Sequence, residues 1–217
     1  MNQEAQPDHG FSRRELLKRL GAMIGMAAFP PVLLRTRARA QTAAGEAFVS
    51  LTAPQAETLR AIIARLIPSD ENGPGALEAR ADRYIDRALA GALKSSRPAY
   101  TSGLAAVNAY ARSSKGREFA KLSAAEQDAV LTDIEQNLAT GFTGNSGQFF
   151  NLVRTHTIQG TFSDPFYGGN ANFIGWDLIG YPGPRVVVTA DLQRMDVKPT
   201  PSRRSAYDFG MFTKGEL

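Results

Sequence analysis

The sequence predicts a mainly α protein: a compact helical domain of about five to six helices, an irregular Gly/aromatic C-terminal loop region and an extended tail. Three observations predict it. Between residues 51 and 160 apolar side chains recur at helical spacing, and two of these stretches open on capping-box signatures. From residue 161 onward the helical period stops, and glycine, proline and aromatic residues crowd together. The chain has 217 residues, room for one domain with extensions, and 43% hydrophobic content supplies a core.

The first helix lies in LTAPQAETLRAIIARLIP, where Leu59, Ile62, Ile63, Leu66 and Ile67 form one stripe. Thr52 and Gln55 make a capping box, Pro54 fits the first turn, and Pro68 ends the helix. After the turn-rich SDENGPG, residues 76–93 read as a second helix with Leu77, Tyr84, Ile85, Leu89 and Leu93 apolar. A third covers Pro98 to Arg112, and a short one follows over Arg117 to Leu122. Ser123 and Glu126 form the second capping box, opening a helix whose apolar face is Val130, Leu131, Ile134 and Leu138. QFFNLVRTHTIQG is the last long helix, ending near Gly160. Arg185 to Thr189 reads as one short strand, and the tail from Arg194 as extended and exposed. The resulting organisation is a leader over 1–40, a flexible junction over 41–50, a helical domain over 51–190 and a tail over 191–217.

Charge is unevenly placed. Residues 1–40 hold seven Lys or Arg against three Asp or Glu, which accounts for the whole formal charge of +4. The neutral body argues against nucleic acid, whose binding depends on neutralising phosphates. Within the leader, Arg13 and Arg14 are followed by Leu16, Leu17 and Lys18, which fits the twin-arginine export signal better than the alternative, an ordinary secretory leader that happens to start with two arginines. A weakly apolar stretch from Leu20 to Leu34 follows, interrupted by Pro30 and Pro31. Ala38 and Ala40 then offer an A-x-A cleavage site before Gln41. The expected partner of this segment is the twin-arginine translocase, and the expected location is the periplasm. That route carries folded cargo, often because a cofactor was inserted beforehand, yet the body shows no obvious cofactor ligands.

The catalytic inventory is thin. No cysteine is present, which excludes disulfides, thiolate metal sites, Fe–S clusters and haem attached through CxxCH. Of two histidines, His9 lies in the leader and His156 stands alone in the body. His156 with Asp164 is a candidate base and orienter, against the alternative of a satisfied structural histidine. Asp82 and Asp86 share a helix face as metal ligands might, but Arg80, Arg83 and Arg87 around them favour a solvated charged face. No transition-metal site is expected there without a nearby histidine. Neither GxGxxG nor GxxxxGK[ST] occurs, so the glycines of DPFYGGNANFIGWDLIGYPGPR read as positive-φ positions of a packed loop. Phe162, Phe166, Tyr167, Phe173, Trp176 and Tyr181 could cradle a sugar or flavin ring, or serve as core and interface anchors.

HTIQGTFSDPFYGGNANFIGWDLIGYPG, with LIPSDENGPGALEARADRYID and LSAAEQDAVL upstream, resembles the gluconate 2-dehydrogenase subunit 3 family along nearly all of residues 50–185. One departure is Arg80, where members commonly have glycine. The resemblance places the family motif on Asp164, Pro165, Tyr167, Gly168, Gly169, Asn170, Gly175, Trp176, Gly180, Tyr181, Pro182 and Gly183, with no catalytic role attached to any of them. It implies a non-catalytic small subunit of a periplasmic FAD-dependent dehydrogenase acting on gluconate or sugars. In such complexes FAD sits in the large subunit, and a c-type cytochrome carrying haem often takes the electrons. The small subunit supplies the export signal and stabilises its partner, in a chaperone-like way, and the complex is associated with the inner membrane. The alternative is an independent periplasmic sugar-binding protein or enzyme using His156 and the 162–181 aromatic loop.

Overall fold

The computed structural model describes residues 47–212. Its helices are α1 (Ala53–Leu66), α2 (Ala81–Ala90), α3 (Arg97–Lys115), α4 (Ala124–Glu135), α5 (Ser146–Phe162) and the short α6 (Ile174–Ile179). The mainly helical class is as the periodicity predicts. Among the described residues there is no strand, only an isolated bridge between Asp70 and Gly73. Arg185 to Thr189 is irregular, since no strand among the described residues is there to pair with it.

α5 is the axis of the fold and touches each of the other helices. It buries Phe149, Phe150 and Val153 among them. Two buried hydroxyls on the same face are satisfied internally: Thr157 donates to the Val153 carbonyl at 2.8 Å and Thr161 to that of Thr157 at 2.7 Å. Gly160 lets α2 cross at backbone contact, because a Cβ there would lie 2.9 Å from Ala81 Cα.

α1 buries its whole predicted stripe, each aliphatic side chain contributing roughly 1.5–3 kcal/mol. Both capping boxes form: Gln55 accepts from the Thr52 N–H at 2.9 Å, and Glu126 accepts from the Ser123 N–H at 2.8 Å. Arg65 on α1 grips Asp128 on α4 through two bonds of 2.6 Å each. Neither partner is exposed, so this fork outweighs the surface ion pairs.

Several boundaries differ from expectation. The helix expected over 76–93 begins only at Ala81, because Arg80 takes a left-handed conformation with φ 60° and ψ 34°. Residues 76–80 form turns instead. α3 runs to Lys115, where Gly116 at φ 76° closes it. The expected helix over Arg117 to Leu122 is a single 3-10 turn, Phe119–Lys121. α4 stops at Glu135, so Leu138 is exposed rather than part of its buried face.

Candidate functional site

The loop after α5 is the candidate site, and its residues are spent on the end of that helix. The last carbonyls of a helix lack intrahelical donors. Here the Asn170 N–H donates to the Gly160 carbonyl at 2.8 Å, and Trp176 Nε1 donates to that of Phe162 at 2.9 Å. Asn170 is fully buried and holds the loop to itself as well. Its Nδ2 donates to the Ser163 carbonyl and its Oδ1 accepts from the Gly175 N–H, both at 2.8 Å.

Two glycines make this possible by closeness rather than by φ. A Cβ at Gly169 would sit 2.1 Å from the Gly160 oxygen, and one at Gly175 would sit 1.7 Å from the Thr161 oxygen. The loop backbone therefore lies directly on the helix end. The positive-φ reading holds at Gly168, Gly180 and Gly183 but not at these two. Left-handed conformations also fall on Asn170, Asn172 and Phe173.

The loop is strapped from outside by the tail. Asp164 Oδ1 accepts from the Phe166 N–H at 2.9 Å and the Ser205 hydroxyl at 2.6 Å, while Oδ2 accepts from the Ala206 N–H at 2.8 Å. Arg203 pairs with Asp177 at 2.8 Å and donates to the Asn172 carbonyl at 3.1 Å. The Ser202 N–H donates to the Pro182 carbonyl at 2.8 Å. The tail is thus not exposed throughout, and Ser205 is buried. Composition around Arg194 predicts an exposed end, but Ser205 and Asp208 form a capping box of their own, the one local signal in the sequence that this segment is ordered.

The aromatic residues divide into two sets. Trp176 is only 5% exposed, packed edge-on against Tyr181 at 4.9 Å and tilted against Phe173 at 5.4 Å. It is a core residue of the loop. Phe166 and Tyr167 face outward at 60% and 51% exposure. Tyr207 from the tail stacks on Phe166 at 3.8 Å, and its hydroxyl lies 2.7 Å from that of Tyr167. That bond, ahead of other causes, raises the Tyr167 pKa above the usual tyrosine value.

The sequence's candidate chemistry dissolves into structural roles. His156 is buried, its Nδ1 3.0 Å from the Tyr100 hydroxyl, and burial lowers its pKa from the ordinary 6.5. Asp164 bonds the loop and the tail, so the two do not form a pair. Asp82 and Asp86 are not a solvated face; they are 2% and 1% exposed. Asp82 pairs with Arg60 at 2.8 Å. Asp86 accepts three successive backbone N–H groups, from Val49, Ser50 and Leu51, at 2.7–2.9 Å. It fills a nest of main-chain donors just before α1. Among the described residues no group of three acidic or histidine side chains is placed to hold a metal. Two open surface hollows, beside Phe48 and Arg60 and beside Arg97 and Pro98, are lined by no residue of the loop. Arg13, Arg14, Leu16, Leu17, Lys18, Ala38, Ala40 and Gln41 lie outside the described residues.

A family profile described as gluconate 2-dehydrogenase subunit 3 matches residues 53–183, from the first residue of α1 to the last glycine of the loop. The chain belongs to the gluconate 2-dehydrogenase subunit 3 family. Membership supports a small subunit of a gluconate dehydrogenase complex. In this member of the subunit 3 family, the matched stretch ends at Gly183, short of the strap residues Ser202 to Tyr207, so the clasp onto Asp164 comes from outside it. No curated protein and no solved structure matches the chain.

Proposed function

We propose that the chain is the non-catalytic small subunit of a periplasmic FAD-dependent dehydrogenase complex of the gluconate or sugar type. It stabilises the FAD-bearing large subunit and carries it through the twin-arginine translocase. FAD belongs to that partner, haem c to a cytochrome subunit that accepts the electrons, and the assembly associates with the inner membrane.

One observation carries this reading: within the signature of a dehydrogenase-subunit family, Asn170 and Trp176 cap the end of α5. Asn170, Gly169, Gly175 and Trp176 are buried against their own chain. The independent enzyme or sugar binder is disfavoured because its base, His156, is engaged with Tyr100 inside the core. A dinucleotide-binding strand–Gly–helix unit also needs a strand, and the described residues have none.

The test is export. With Arg13→Lys and Arg14→Lys together, periplasmic flavoprotein is expected to fall to near background while cytoplasmic flavoprotein rises. Unchanged periplasmic delivery of the large subunit would sink the carrier role. Calorimetry of the isolated mature chain with gluconate and glucose is expected to show no binding; tight binding would restore the independent reading.

A further inference from the structure

The run Arg185-Val186-Val187-Val188-Thr189 is unusual for a surface. Three consecutive β-branched residues are exposed, Val187 at 70%. Such residues favour a pleated, half-covered strand. Among the described residues, Val186, Val187 and Val188 make no hydrogen bond of any kind. Val186 bends, and Val187 to Thr189 carry no turn, with Thr189 extended at φ −81° and ψ 165°. The base of this segment is fixed. Arg185 donates to the Thr200 carbonyl and the Ser202 N–H donates to that of Pro182, each at 2.8 Å. The protein therefore holds out a tethered segment with strand chemistry and no strand beside it among the described residues.

We propose that Val186–Thr189 is a donated β-strand, which adds to an exposed sheet edge of the flavoprotein large subunit. This rests on the small-subunit reading above. Main-chain recognition needs an edge with free N–H and C=O groups, and side chains on alternate faces then find apolar cover. A second copy of this chain offers no such edge among its described residues. Membership supports a subunit of a multi-subunit dehydrogenase complex, and within the reading above the other subunit is the flavoprotein.

A strand ladder has a signature that a greasy contact lacks: only alternate residues bond to a given neighbour. Val187→Pro and Val188→Pro are therefore compared in the full chain co-expressed with the large subunit, and the complex is quantified by bound flavin. One of the two prolines is expected to weaken the complex by about tenfold and the other much less, as proline is tolerated only where the N–H faces away. Val187→Thr and Val188→Thr should retain it. Far-UV circular dichroism of each variant alone should match the parent. In the unaltered complex, alternate amides in this run should exchange at least about tenfold more slowly than in the free chain. Equal tolerance of both prolines, equal loss from both, or amides that stay unprotected in the complex would each overturn the strand and leave the small-subunit reading standing. Failure of the unaltered chain to co-purify with any flavoprotein would overturn both.

Discussion

Arg80 holds a left-handed backbone at the mouth of α2 with an exposed side chain. That conformation costs a non-glycine residue about 1–2 kcal/mol. Glycine, common at this position in the family the sequence resembles, would relieve it, offset in part by its greater freedom when unfolded. Arg80→Gly is expected to raise stability by about 0.5–1 kcal/mol in urea denaturation. A drop would show that the arginine side chain supplies a bond worth more than the strain. Asp86 is the opposite case, a charge the fold needs. Asp86→Ala strands three main-chain donors and should cost about 2–4 kcal/mol by the same measurement. His156 adds a pH dependence of known sign. Burial lowers its folded pKa, so below the unfolded value near 6.5 the unfolded state binds the extra proton. Its contribution is complete above that value and is lost as pH falls through the folded pKa. His156→Gln should flatten that part of the stability–pH curve, even at some cost in absolute stability.

Among the elements, α1 and α4 were legible because each has a capping box followed by a clear stripe, two local signals that agree. α2 was legible in type but not in extent. A left-handed arginine has no local signature, since the Gly160 crossing and the loop contacts that shape that turn lie about 80 residues away in sequence. The acidic pair misled for a similar reason: neighbouring arginines suggested solvent, whereas the partners are Arg60 and the backbone before α1. Within the candidate site, the glycines and Trp176 were recognisable as a packed loop. Their task of closing α5 was not, because capping by a residue eight or more positions onward obeys no short motif. The strap can be tested as an element. Ending the chain after Val197 removes Arg203, Ser205 and Tyr207 together. It should lower stability by about 2–4 kcal/mol and open Trp176 to acrylamide quenching, while far-UV dichroism changes little. An unquenched Trp176 would mean the loop holds itself closed.

For the whole molecule, balance is the organising property. Outside the leader, positive and negative charges cancel, and the buried carboxylates are matched to partners inside the chain. Several large apolar side chains toward the C-terminal end are exposed, Phe166, Tyr167, Val187 and Met195 among them. The clasp at Asp164 also orders events in time. Ser205 and Ala206 close onto a residue more than 40 positions earlier, a long segment to bring together before any bond rewards it. During synthesis the loop can seat on α5 early, but its outer fastening must wait until residue 206 has emerged. A nascent chain cut short before that point would keep its helices and leave the latch undone, so a closed latch reports that synthesis has passed residue 206.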